Sequence, residues 1–321
     1  MKRWYDLDYS KELAKKALEI GAITLSPDDP YTWASGFRMP IYNDNRKHLR
    51  FWENRQLITQ ALVSILRENK IPMGSITGTS TAGIAPAASL AWSLNSPISI
   101  IEKSTLYEYS PDLIRSLIQT AGNGYSLVVS TCPHSIIPGV WLANEKRLPF
   151  AYVRATKKEH GLKQQIEGIV EKEDTAILID FHTGESYANS AVQALEEQGA
   201  KVKLILSKLV TPPVVKPGIR IQIEDLISTG GSCVTEIGMQ KGLGNTVDYC
   251  LAIFSYEFPE TLEKFREAGC NVKSIFGYST LLEVALKEGA ITPEQHEMLK
   301  GWRDDPFGWG EKHGFPKVEK K

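Results

Sequence analysis

The sequence predicts an α/β protein: a doubly wound, mostly parallel sheet, with a second α/β lobe inserted into it. Three observations point there. Short apolar runs of strand length alternate with amphipathic helical stretches along most of the chain, the pattern of βα units stacked in a parallel sheet. Two turns rich in Gly, Ser and Thr, at 78–86 and 228–232, each join such a run to a helix. Part of the pattern then recurs at an offset of 52 residues, from position 80 to position 132 for example.

Bulk composition sets the outer limits. With 321 residues and 42% apolar content the chain can bury a large core and has the length of about two domains. A formal net charge of −1 provides no basic face, so nucleic acid is not an expected partner. Met1 to Ile20 is charged, with Leu13, Ala14, Ala17 and Leu18 on one helical face, which is unlike a signal peptide. No apolar run reaches membrane-spanning length, so no membrane partner is expected and the location is expected to be cytoplasmic. Cys132, Cys233, Cys250 and Cys270 show no paired spacing, which indicates neither a disulfide framework nor a zinc site.

Taken in order, the first helix is followed by Ser35-Gly36-Phe37-Arg38-Met39-Pro40-Ile41-Tyr42, where Gly and Pro impose a turn and an extended segment. Residues 55 to 68 form a helix with Leu57, Ala61, Leu62, Ile65 and Leu66 along one side. A short strand, Gly74 to Thr77, enters the turn Gly78-Thr79-Ser80-Thr81-Ala82-Gly83, and Pro97 to Glu102 is the next strand. Arg154-Ala155-Thr156-Lys157-Lys158-Glu159-His160-Gly161 is a charged loop after a Pro-Phe-Ala-Tyr-Val strand. Strands follow at 176–180, 202–206 and 249–255, and helices up to Gly199, at 260–268 and at 280–288. The aromatic ending around Trp302, Phe307 and Trp309 reads as an anchored tail.

The chemistry concentrates in Ile221 to Ser232. An apolar alternation ends in two adjacent carboxylates, Glu224 and Asp225, and Ser228-Thr229-Gly230-Gly231-Ser232 then opens a helix. Small residues at a helix N-terminus leave several backbone N–H groups aimed at one anion, and a phosphate suits them. The acids cannot meet that phosphate favourably, so their partners are neutral hydroxyls or a hydrated cation nearby. Phosphate plus diol describes a ribose 5-phosphate.

This stretch resembles the signature of the type I phosphoribosyltransferases, and the segments at 35–42 and 154–168, the latter with Lys158-x-His160-Gly161 and Ile166-Glu167-Gly168, resemble the orotate branch. The resemblance implies a parallel-sheet domain with a small hood and the substrates orotate and phosphoribosyl pyrophosphate, with Mg2+ as cofactor at Asp225. It implies that Glu224 and Asp225 face the ribose hydroxyls, that Ser228, Thr229, Gly230, Gly231 and Ser232 hold the 5-phosphate, and that Thr79, Ser80, Thr81, Ala82 and Gly83 approach the pyrophosphate. Arg38 and Tyr42 would belong to the hood over the base, and Arg154, Lys157, Lys158 and His160 would neutralise the leaving group. Transfer to another base such as a purine remains open, because no arginine follows the 249–255 strand to take the orotate carboxylate. A regulator that binds phosphoribosyl pyrophosphate without catalysis also remains open.

The offset recurrence places Thr131 on Thr79, Ile136 on Ile84, Pro138 on Pro86 and Leu142 on Leu90, and the helix positions from Leu57 to Leu66 on Tyr109 to Ile118. The second copy continues into Ile177 to Ser186, a worn version of Ile221 to Ser232: one acid has become Phe181 and the second Gly has become Glu185. The organisation expected is a catalytic domain at 1–103 and 214–321 with its hood, and an inserted degenerate copy at 104–213 that carries the lysine loop. One working site per chain would follow, in a pseudo-dimer within a single chain and compatible with a monomer. Thr211-Pro212-Pro213 would be the return linker.

Overall fold

The computed structural model describes residues 8–33, 35–102, 105–112, 121–131, 133–154, 165–183, 186–209 and 217–319. Among them the strands form two main sheets. The first contains β5 (Ser75–Gly78), β6 (Ile98–Glu102), β7 (Thr105–Tyr109), β13 (Ile219–Ile227), β14 (Thr246–Ser255) and β15 (Asn271–Gly277), in the order β15-β14-β13-β5-β6-β7. The second contains β8 (Leu127–Thr131), β9 (Phe150–Val153), β10 (Ile166–Glu167), β11 (Thr175–His182) and β12 (Lys201–Leu209), in the order β10-β9-β8-β11-β12. Two ribbons, β1 (Ile23–Leu25) with β4 (Ile41–Asn43) and β2 (Tyr31–Thr32) with β3 (Arg38–Met39), form the hood together with a 310 turn at Asn45–Arg50.

Local chemistry accounts for the elements that position the site. The Asp8 side chain caps the helix Tyr9–Glu19 by accepting from the Lys11 N–H, and Leu13, Ala14 and Ala17 are its buried face. Trp52–Glu68 buries Leu57, Ala61, Leu62 and Leu66 on one stripe. Ile84–Leu94 is instead buried on every side from Ile84 to Ala91, because it lies between its own sheet and the second lobe. Its four alanines there, Ala85, Ala87, Ala88 and Ala91, allow that close approach.

The two sheets share one plan. In each, an antiparallel hairpin stands at one edge, β6 with β7 and β9 with β10. Parallel pairings then run inward, β5 with β6, β13 and β14 in the first sheet, β8 with β9, β11 and β12 in the second. The helices Ile84–Leu94 and Ile136–Lys146 have the same length and end in left-handed caps at Asn95 and Arg147, all displaced by the expected 52 positions. Even the register irregularities match: the β11–β12 ladder slips between Ala176 and Ile177, and the β13–β14 ladder between Arg220 and Ile221.

Those two helices pack face to face. Asn144 Nδ2 donates to Ser89 Oγ at 3.0 Å, and Trp92 lies 5.4 Å from Trp141 between ring centroids. Shifting either pair by 52 positions and exchanging the lobes produces the other pair, which is the mark of a two-fold contact. Trp141 Nε1 also donates to Ala88 O at 2.6 Å, and buried Arg55 donates to Asn144 Oδ1 at 2.9 Å and to Leu148 O at 2.7 Å.

One boundary differs from the sequence reading. Thr105–Tyr109 is a strand of the first sheet, with Tyr109 opposite Ile98 and Thr105 opposite Glu102, so the chain leaves that sheet after Tyr109 and not at 104. Tyr109 is consequently no counterpart of the helical Leu57; the Thr-Leu-Tyr-Glu-Tyr alternation is satisfied by pairing with β6. The rest of the expected helix, Leu113, Ile114, Leu117 and Ile118, lies outside the described residues, as do the linker Thr211-Pro212-Pro213 and Glu185. No helix among the described residues is long and apolar enough to cross a membrane.

Candidate active site

β13 and β5 are neighbours in parallel register, so the turns that follow them open side by side at the carboxyl edge of the first sheet. The Thr79 N–H donates to Ile223 O at 2.9 Å and ties the two exits together. Gly83 makes this approach possible: a Cβ there would stand 2.4 Å from Ile223 O and 2.8 Å from Thr79 N. Thr79 Oγ1 accepts from Gln222 Nε2 at 2.5 Å, and Ser80 donates its N–H to Glu236 at 3.2 Å and its hydroxyl to Ile101 O at 3.1 Å. Thr81 and Ala82 complete the turn, and Ala82 lines a cavity shared with Asp225.

At the end of β13, Glu224 is buried and Asp225 half-buried. The Asp225 N–H donates to Glu224 Oε1 at 2.9 Å. Burial, and next the charge of Asp225, push the Glu224 carboxyl well above the usual carboxylate range. Burial also raises Asp225, but hydrogen bonding with Glu224 and the positive charge of Arg46 oppose it. Burial and mutual repulsion thus disfavour the doubly charged form of the pair.

The helix Gly231–Gly242 begins directly beyond, with no side chain capping its N-terminus and Gly230 in the left-handed region at φ 75°. The preceding carbonyls are turned away: Thr261 Oγ1 donates to Ser228 O at 2.6 Å and Lys264 Nζ to Thr229 O at 3.0 Å. Gly231 has open space where a Cβ would stand, and Ser232 is exposed. Uncapped N–H groups, open space and the helix dipole are the features that an anion at a helix start requires.

The hood reaches this site through residues just beyond the motif read from sequence. Asn45 Nδ2 donates to Asp225 O at 2.6 Å, and Arg46 lines the same cavity as Asp225. Tyr42 is half-buried beside Tyr31, and burial and the Asp44 charge raise its phenol. Arg38 is turned elsewhere: its guanidinium pairs with Asp29 at 3.3 Å and lies 5.8 Å from the Phe315 ring, where the tail closes on the hood. Trp302 sits in that closure against Trp33, Tyr256, Phe258 and Tyr278. Arg154 stands at the end of β9 and donates to Glu167 at 2.7 Å, whereas Lys157, Lys158 and His160 lie outside the described residues.

Asn45, Arg46 and Glu236 were not singled out by motif reading, and Glu167 stood out only as part of Ile166-Glu167-Gly168, with no role of its own. Only the run Asp44-Asn45-Arg46 following Tyr42 could have drawn attention. The cysteines likewise carried no spacing signal, yet Cys233 and Cys250 Sγ lie 3.5 Å apart beneath the phosphate turn.

Adjacent acids, an uncapped helix start and a small-residue turn on the next parallel strand define an enzyme of the phosphoribosyltransferase class, built to hold a sugar phosphate beside a second anion. Comparison with known proteins narrows this. The chain is 30% identical over 302 residues to the orotate phosphoribosyltransferase of Streptococcus pneumoniae serotype 19F, covering 94% of this chain and 98% of that protein. It is 30% identical over 306 residues to that of Cutibacterium acnes, covering 95% and 97%. The chain belongs to the orotate phosphoribosyltransferase family. Among solved structures, orotate phosphoribosyltransferase from Aeropyrum pernix aligns with a TM-score of 0.47 at 16% identity, covering 86% of this chain and 99% of that one. No family model matches the chain.

Proposed function

We propose that this chain transfers the phosphoribosyl group of phosphoribosyl pyrophosphate to orotate, forming orotidine 5-monophosphate and pyrophosphate. The observation that carries the reading is the side-by-side opening of the Glu224–Asp225 strand end, the uncapped Gly231 helix and the Thr79–Gly83 turn. The ribose 5-phosphate would bind Ser228 to Ser232, with Glu224 and Asp225 on its 2- and 3-hydroxyls. A ring nitrogen of orotate forms the new bond to the anomeric carbon while the bond to pyrophosphate breaks, its electron pair leaving with the pyrophosphate oxygen, and the proton of that ring N–H passes to the departing pyrophosphate or to water. Little is asked of a nucleophilic side chain; positioning and stabilisation of the leaving charge set the rate. Arg154, Lys157, Lys158 and His160 would supply that stabilisation, and the small turn at 79–83 would let backbone amides approach the pyrophosphate.

The donor set suits magnesium. Asp225, at the strand end with Glu224 beside it, offers carboxylate oxygens, the hard donors that magnesium takes. That matches an ion held by one carboxylate and otherwise by substrate oxygens and water. When bound, it would neutralise charge on the pyrophosphate. Orotate and phosphoribosyl pyrophosphate are small cytosolic-type substrates, so a cytoplasmic enzyme is proposed.

We further infer that the second lobe, with its matching strand order, is a degenerate internal copy that takes the place of a dimer partner and carries the lysine loop for the first lobe's site. Loss of orotate absorbance with phosphoribosyl pyrophosphate and magnesium tests the activity; no loss overturns it. Calorimetric titration of phosphoribosyl pyrophosphate tests the one-site reading, and two equivalent sites per chain would sink it.

A further inference from the structure

The first lobe's hood and the second lobe meet through a chain of charges beside Asp225. Arg46 donates through Nε to Asp44 and through Nη1 to Glu167, and Glu167 also accepts from Arg154 Nε at 2.7 Å. Glu167 is 4% exposed and belongs to β10 of the second lobe, paired opposite Tyr152; Arg46 lies in the hood. Two carboxylates on two edges fix the plane of the Arg46 guanidinium. Its Nη2 takes no hydrogen-bond partner among the described residues, although Arg46 lines the cavity that also holds Asp225, Asn45 and Ala82.

We propose that Arg46 is a further substrate-binding residue, offering its Nη2 edge to a substrate oxygen, and that Glu167 of the second lobe is the positioning residue that aims it. Asp44 and Glu167 offset the cationic charge, so Arg46 acts here as a hydrogen-bond donor of set direction and not as a net anion trap. Acceptors of that kind are the carbonyl or carboxylate oxygens of the base, or a ribose hydroxyl next to Asp225. The pairing also explains why a lobe whose own site has decayed still contributes a buried carboxylate at this point: without Glu167 the guanidinium is free to turn toward Asp225 alone. The inference rests on the proposed activity.

The test compares Arg46→Gln, Glu167→Gln and the double variant with the wild-type chain. Arg46→Gln should raise the KM of one substrate about 10-fold, the loss of a charged hydrogen bond, and leave the other within about twofold. A rise for orotate identifies a base oxygen and a rise for phosphoribosyl pyrophosphate a ribose oxygen. Glu167→Gln should raise the same KM by a smaller factor, and the double variant should match Arg46→Gln. Glu167→Asp, which keeps the charge, should recover part of the loss. Unchanged KM values, equal rises in both KM values that follow a fall in Tm, or multiplying effects in the double variant would overturn it. Calorimetric binding of orotate and of phosphoribosyl pyrophosphate to each variant reads the same contact without turnover. If wild type binds but does not turn over, the activity fails while the Arg46 contact is still judged.

Discussion

The strand ends of β13 and β11 occupy equivalent places in the two sheets and have opposite fates. At β13 the acids Glu224 and Asp225 face an open turn, and the helix beyond leaves its N–H groups uncapped. At β11 the single acid Asp180 is fully buried and takes three hydroxyls of its own lobe: Thr131 at 2.7 Å, Ser186 at 2.6 Å and Ser207 at 3.0 Å. Ser135 stands where the first lobe has Gly83, and its hydroxyl accepts the Phe181 N–H at 2.6 Å. Where the first lobe leaves the helix start uncapped, the second satisfies its strand end with its own hydroxyls. The two strand ends differ less in backbone than in whether a small residue, Gly83, or a hydroxyl, Ser135, stands beside them.

The lysine loop shows the reverse trade. In the first sheet only residues 103 and 104 separate β6 from β7, whereas in the second a longer segment with Lys157, Lys158 and His160 separates β9 from β10. On the proposed reading the first lobe supplies the cradle and the second the cationic loop.

Four measurements would break or sharpen this contrast. The largest effect should come from Asp225→Asn, which lowers turnover by at least about 100-fold if this carboxylate organises the ribose; turnover near wild type would mean that the two strand ends do not differ in role. Next, Lys158→Ala should cost turnover by up to about 100-fold while the unfolding free energy changes by less than about 0.5 kcal/mol. An unchanged rate would remove the loop from the mechanism. Asp180→Ala should do the opposite, destabilising by roughly 2–4 kcal/mol as three hydroxyls lose their acceptor, with activity of the folded fraction retained. Denaturant titration alongside an initial-rate assay reads both quantities.

The smallest effect concerns the buried histidines. His134, in the second lobe, meets the Tyr109 hydroxyl at 2.5 Å, whereas His48, near the working site, has Nε2 without a partner and is lowered by burial to about 4 from 6.5. A depressed folded value means that the unfolded chain binds the proton more readily. Stability from this group is therefore complete above pH 6.5 and declines as pH falls toward 4, by at most about 3 kcal/mol. His48→Asn should flatten that part of the pH–stability curve; an unaltered slope would assign acid sensitivity elsewhere.

Much of this was legible in order along the chain. The strands at 74–77 and 249–255, the helix at 55–68 and the phosphate turn all follow from periodicity and turn chemistry, which are local. The offset of 52 positions also survived, because helices and strands of equal length keep their spacing. Tyr109 was matched to the helical Leu57, and the lobe boundary set at 104, since the alternation from Thr105 to Tyr109 shows itself as a strand only once its partner β6 is known. Arg38 was read as a hood residue, but its contact with Phe315 could not be foreseen, because the tail is far away in sequence and nothing local announces that it folds back. Cys233 and Cys250 came together for the same reason: one lies on a helix and the other on a strand.

By itself the sequence determined the kind of ligand and the fold class, because a strand ending in acids before a Thr-Gly-Gly-Ser helix start is a contiguous device whose chemistry needs no distant partner. Only the tertiary structure decided that the second lobe packs through a two-fold helix contact, that Asp180 is surrounded by hydroxyls of its own lobe, and that Glu167 meets Arg46. The helix contact joins residues 55 positions apart, Ser89 and Asn144, and Arg46 and Glu167 lie farther apart still; burial of opposite charges between two lobes is determined by packing, which no local pattern encodes.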